Sequence, residues 1–214
     1  MLELYTYFRS SAAFRVRIAL ELKALPWRSI PVHLLRSGGE QHAAQFVELN
    51  PAHLVPVLKD QALTFTQSLA IIEYLEERHP QPPLLPQEPA ARAHVRALAL
   101  GIACDIHPIN NLRVLRYLGS ELGAAEPQRQ AWSAHWIGLG FTALERMLAA
   151  SGADAFCYGS GPTLADCCLV PQVFNALRLK LTLNDYPIIG RIYENCMGLP
   201  AFVRAAPAAQ SDAE

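Results

Sequence analysis

An excess of charge of either sign is missing from this chain. Lys and Arg number 18 and Asp and Glu 19, for a formal net charge of −1 at neutral pH. That balance gives no electrostatic case for binding nucleic acid or an anionic membrane. Charged residues make up only 17% and apolar ones 51%, which suits a globular protein with a substantial core. No stretch has the length and apolarity of a membrane span. The basic-then-apolar order of a signal peptide is also missing, because Glu3 and Arg9 interrupt it. A soluble, cytoplasmic protein is expected.

Cysteine shows no pattern. Cys104, Cys157, Cys167, Cys168 and Cys196 are odd in number and contain no Cys-x-x-Cys pair, so neither a redox motif nor a zinc knuckle is indicated and no metal is expected. Most are expected to be buried thiols packing as small hydrophobes.

The first eighty residues alternate strand-like and helix-like runs. Leu2 to Thr6 reads as a strand and Ser11 to Ala24 as a helix, with Phe14, Ile18, Leu22 and Leu25 at helical spacing. Trp27 to Leu34 reads as a strand, and Glu40 to Leu49 as a short helix stopped before Asn50-Pro51. Val55 to Leu58 and Leu63 to Phe65 form a hairpin pattern turning at Lys59-Asp60-Gln61. A helix over 68–78 follows. This order predicts a small mixed sheet with helices on its faces.

Five prolines between 79 and 89 mark a stiff linker. Beyond it the pattern is helical. Ala90 to Leu118 reads as one long helix kinked at Pro108, and Gln128 to Leu148 as another. Thr163 to Asp166 has the form of a capping box. Shorter helices are expected near 187–197 and 200–205, and the tail after Pro207 is expected to fray. The predicted domains are 1–81, a linker at 82–89, and an all-helical domain at 90–214.

Two segments carry chemistry. Ser10 and Ser11 stand where a strand runs into a helix, and Ser is a preferred residue there. The exposed amides and partial positive charge of a helix start favour an anion, and a hydroxyl beside them can lower the pKa of a bound thiol. A plain N-cap accounts for the same pair. Gln67 and Ser68 stand at a second loop-to-helix junction suited to a carboxylate, or to another simple cap.

The motifs and their order resemble the zeta class of the cytosolic glutathione transferases. Phe8-Arg9-Ser10-Ser11 with Arg15-Val16-Arg17 matches the class signature, and Asn50-Pro51 with Val55-Pro56 matches the segment carrying a cis-proline. Gln67 to Glu77, Cys104 to Leu115 and Thr163 to Asp166 match it again. One departure is Ala12, where zeta sequences often carry cysteine after the two serines. It argues against any mechanism that needs a protein thiol at that place.

The resemblance implies a thioredoxin-like domain of four mixed strands, an all-helical second domain and a two-fold homodimer. It implies glutathione as coenzyme, with Ser10 or Ser11 facing its sulfur. Gln41 would meet its glycine end, Val55 its cysteinyl backbone, and Gln67 and Ser68 its γ-glutamyl carboxylate. It adds His107, Asn111 and Arg113 as glutathione or substrate contacts; His107 and Asn111 share a helical face at i, i+4. Arg15 keeps a place near the coenzyme or serves, like Arg17, as an internal ion-pair partner. Arg9, Arg113 and Arg178 are candidates for holding an anionic substrate, because arginine pairs bidentately with carboxylates. The implied activity is cis–trans isomerisation of a diketo acid, maleylacetoacetate first. Maleylpyruvate, a general transferase, and a non-catalytic binding protein are the alternatives.

Overall fold

The computed structural model describes residues 1–214. They form two compact units, Met1–Leu84 together with Met197–Glu214, and Leu85–Cys196.

The first unit is built on a four-stranded sheet. Its strands are β1 (Leu2–Thr6), β2 (Trp27–Pro31), β3 (Val57–Asp60) and β4 (Leu63–Thr66), in the order β2-β1-β3-β4. β1 runs parallel to β2, with Leu2 opposite Trp27, and antiparallel to β3, with Leu4 opposite Leu58. A parallel neighbour requires a crossover, and α1 (Ser11–Leu22) provides it. The β3–β4 hairpin turns at Gln61-Ala62, one step later than its sequence suggests, because Asp60 still pairs with Leu63. α2 (Ala44–Leu49) and α3 (Ser68–Arg78) lie before and after the hairpin. Leu4, Val16, Ile18, Leu20, Leu58, Ile71, Ile72 and Leu75 are buried in this unit's core. Each large apolar side chain removed from water is worth about 1.5–3 kcal/mol.

β2 stops at Pro31 rather than Leu34, and the helix expected over 40–49 is a 3-10 turn at Glu40–His42 followed by α2. The tail differs more. α9 (Pro200–Ala205) and the residues after it belong to the first unit, so the helical domain does not extend to 214. The tail is also held rather than frayed. Asp212 accepts a hydrogen bond from the Phe8 amide, and Glu214 pairs with Arg36.

The second unit contains α4 (Pro89–Leu100), α5 (Leu112–Ser120), α6 (Glu126–Ala150), α7 (Leu164–Arg178) and α8 (Pro187–Met197), whose last residue already belongs to the first unit. The long helix expected over 90–118 is broken. It becomes a π-helical stretch at Gly101–Ile106, a 3-10 turn at Pro108–Asn110, and α5. Pro108 lacks the N–H that would continue the helical ladder, and Asn111 is extended. α6 passes close to the π stretch at Gly140, where a Cβ would stand 2.3 Å from Ile106.

The capping box of α7 forms with Asp in place of Glu or Gln. Buried Asp166 accepts from the Thr163 amide and hydroxyl and from the Cys157 amide, at 2.7 to 2.8 Å. Burial pushes its carboxyl pKa up, and those donors pull it down. Asp166→Ala is expected to destabilise the protein by about 3 kcal/mol, because it leaves buried donors unpaired; chemical denaturation measures it. Cys157, Cys167, Cys168 and Cys196 are buried, and Cys104 is exposed. Burial raises the Cys157 and Cys196 thiols, so neither is a ready thiolate.

Candidate functional site

In the first unit the structure brings several of the marked residues together. The turn from β1 to α1 is closed by the Ser10 amide bonding the Tyr7 carbonyl at 2.9 Å. Ser10 is the N-cap of α1, and its Oγ accepts from the Ala13 amide at 3.2 Å. The cap therefore uses an oxygen lone pair and leaves the hydroxyl proton free to donate. Capping and contact with an anion are compatible in one residue. Ser10 is half-buried and Ser11 buried.

Tyr7 and Phe8 pack in one buried cluster with Val32, Phe46, Val55 and Val57. This cluster ties the turn to the Val55–Pro56 bond, which is cis. Val55 lies two residues before Val57, the first residue of β3 to pair with β1 and β4.

Arg15 is buried, and its Nη1 donates to Ser68 Oγ at 3.2 Å. That bond joins α1 to the first residue of α3. The cap of α3 is Gln67 rather than Ser68, and its side chain makes no capping bond. Gln67 is exposed, with φ 68 and ψ 115. A non-glycine residue held there costs on the order of 1–3 kcal/mol and marks a site where backbone direction matters. Ser68 Oγ accepts from Arg15, so its hydroxyl, like that of Ser10, has a proton left to donate.

Gln41 is 5% exposed, and its Oε1 has no hydrogen-bond partner. Its Nε2 lies 3.1 Å from His42 Nε2. Gly39, at φ 114, makes room for this side chain, since a Cβ would stand 2.5 Å from Gln41 Nε2. A buried amide oxygen without a donor is a place where a ligand N–H would be favoured.

Arg9 is exposed, with its guanidinium 4.9 Å from the centre of the Phe8 ring. Arg17, read from sequence as an ion-pair partner, is fully buried and makes mainly hydrogen bonds. It donates to Thr6 Oγ1 and to the carbonyls of Tyr7, Phe8 and Ala205, at 2.9 to 3.3 Å. The sequence reading missed its part in holding the serine turn; partners so distant along the chain leave no local pattern.

His107, Asn111, Arg113 and Arg178 lie in the second unit. His107 precedes the 3-10 turn, and Asn111 caps α5 by accepting from the Arg113 amide at 3.1 Å. The shared helical face expected of His107 and Asn111 does not exist, because the helix breaks between them. Arg113 is exposed, and Arg178 is the exposed last residue of α7.

Residues 4–83 match the glutathione S-transferase N-terminal domain family. Over 210 residues the chain is 53% identical to a Vibrio cholerae protein named "Probable maleylacetoacetate isomerase", covering 98% of this chain and 97% of that one. The chain belongs to the zeta-class glutathione transferase family. A zeta-class bacterial maleyl pyruvate isomerase, solved in its holo form, superposes with a TM-score of 0.96 at 47% identity, over 99% of this chain and 100% of that one. A maleylacetoacetate isomerase from Anaeromyxobacter dehalogenans, solved with glutathione in its active site, is 42% identical with a TM-score of 0.89, over 100% and 98% of the two chains.

Proposed function

We propose that this protein is a glutathione-dependent cis–trans isomerase that converts maleylacetoacetate to fumarylacetoacetate. The observation that carries the reading is Ser10. It sits at the start of α1, with its oxygen engaged by the Ala13 amide and its proton free to donate.

The residues present fit glutathione. The unpaired Oε1 of buried Gln41 suits an N–H near the glycine end. Val55, held in the cluster beneath the turn, suits the peptide backbone of the cysteinyl residue. Gln67, Ser68 and the first amides of α3 suit the γ-glutamyl carboxylate. Bound there, glutathione would supply a thiolate that adds to the cis double bond and leaves after the bond has turned.

The chain's own residues do the rest. Ser10 donates to the sulfur and, with the α1 dipole, favours its ionised form. Ser11 stands beside it as a second donor. Arg15 holds Ser68 in place. Exposed Arg9 meets the substrate carboxylate and stabilises negative charge that develops on the ketone oxygen. His107, Asn111, Arg113 and Arg178 belong to the same proposal, as glutathione or substrate contacts. Ala12 after the serines leaves no cysteine in the turn itself to replace the thiol of glutathione. A cytoplasmic homodimer completes the reading, supported by the family's habit.

Maleylpyruvate as the substrate is the second reading, favoured by the TM-score of 0.96 to its isomerase. It carries another carboxylate beyond the ketone, and the Asn111-Leu112-Arg113 run offers one arginine where two adjacent ones would suit that group better. Ultraviolet absorbance separates the two. Purified protein with maleylacetone, a stand-in for maleylacetoacetate, is expected to turn over only with glutathione, at a kcat/KM at least tenfold above that for maleylpyruvate. The reverse preference would move the protein to maleylpyruvate. No turnover of either with glutathione bound would overturn the isomerase reading.

A further inference from the structure

Residues 206–214 leave α9 and return to the serine turn. Pro207–Ala209 form a 3-10 turn, and Gln210 Nε2 donates to the carbonyls of Arg204 and Ala206 at 2.9 and 3.0 Å. This course sets Asp212 against the turn, where its Oδ2 accepts the Phe8 amide at 3.0 Å. The carbonyl of the same residue, Phe8, accepts from Arg17 Nη2 at 3.0 Å. Both hydrogen-bonding groups of Phe8 are thus held by side chains, one from the tail and one from α1. Arg17 also donates to the Tyr7 carbonyl, the acceptor for the Ser10 amide.

Arg17 is fully buried, and a buried cation needs a counter-charge. Burial pushes its pKa down to about 9, and the Asp212 carboxylate works in the opposite direction. Other titratable groups surround the turn. Arg9 lies over the Phe8 ring, the His33 ring is 5.0 Å from that of Tyr7, and Glu214 is 3.4 Å from His33 Nε2.

We propose that Asp212 is a positioning residue, which with Arg17 fixes the Phe8 peptide groups and so aims the Ser10 hydroxyl at the glutathione sulfur. This rests on the function proposed above. A turn closed only by the Tyr7–Ser10 bond can pivot, and a shift of about 1 Å in a donor weakens its hold on developing charge. Asp212 acts at a distance, through the turn, and touches no substrate.

Charge and position predict opposite results, which makes the idea testable. Removing a carboxylate purely as a charge lowers the pKa of a nearby thiol, because an anion no longer repels the thiolate. Releasing the turn raises it. The pKa of bound glutathione is read from thiolate absorbance and from the pH profile of kcat/KM, in full-length wild type, D212A and D212N. D212A is expected to move both about one unit alkaline, a tenfold fall in the thiol's ionisation constant, with the rate recovering at high pH. Its glutathione Kd stays within about threefold, because Gln41, Val55, Gln67 and Ser68 are untouched. D212N keeps an oxygen acceptor for the Phe8 amide and is expected to stay at or below the wild-type value. Should D212A fold poorly, D212S, too short to reach that amide, gives the same reading. A wild-type profile in D212A, or an acid shift in both variants, overturns the proposal. Wild type without thiolate absorbance or glutathione-dependent turnover overturns the functional reading itself and this proposal with it.

Discussion

A Ser10→Ala, Ser11→Ala double variant is expected to lose about 100-fold in glutathione-dependent isomerisation while remaining folded. Removing one donor aimed at developing charge costs about 10²–10³ in rate, and the second serine is the neighbour able to substitute for the first. The single Ser10→Ala variant also removes the Oγ that accepts from the Ala13 amide. Its stability is therefore expected to fall by about 1 kcal/mol, the usual cost of losing an N-cap. The two effects separate cleanly. Stability follows denaturant titration, whereas loss of the thiolate donor shows in the absorbance of bound glutathione at fixed pH. A Ser10→Ala variant at full rate, with the double variant slow, would assign the sulfur contact to Ser11. Full rate in both would remove the serines from the chemistry.

Glu76→Ala is expected to destabilise the protein by about 3–5 kcal/mol, the largest stability effect foreseen here. Lys23 is a fully buried ammonium that donates to Glu76 Oε2 at 2.7 Å and to the His79 and Pro82 carbonyls at 2.7 and 2.9 Å. The same Glu76 oxygen accepts the Leu84 amide at 2.9 Å. One carboxylate thus neutralises a cation on α1 and ties the Pro-rich stretch after α3 to its own unit. Truncating it leaves a buried cation without its counter-charge and a buried amide without its acceptor. Thermal unfolding is expected to move down by about 10 °C, at about 2–4 °C per kcal/mol for a chain of this size. Lys23→Met with Glu76→Leu removes both charges and is expected to recover most of the loss, because well-packed apolar residues can replace a buried pair. A double variant no more stable than Glu76→Ala would show that the Leu84 amide, rather than the cation, dominates.

The sequence alone determined what depends on neighbours along the chain. Helix starts at Ser11, Ser68 and Leu164 were legible, because caps and periodicity are local. So was the succession of strands and helices that builds a small mixed sheet, since strand, helix and hairpin patterns differ in period. The family was legible too, from motifs in register over nearly the whole chain.

Tertiary structure decided the remainder. The break between Ile106 and Leu112 was read as a kink, because a single proline does not say whether the helix bends or stops. That depends on what packs against it, here Gly140 admitting Ile106. The tail of small and polar residues carried no signal of its docking. Asp212 finds Phe8 across 204 positions of chain, a pairing that only the folded backbone brings within 3.0 Å. Gln67 in the left-handed region and the unpaired Gln41 oxygen were equally invisible, being products of backbone path and burial rather than residue type. Local chemistry wrote the elements into the sequence, while long-range packing chose which polar groups meet, and so where the serine hydroxyl points.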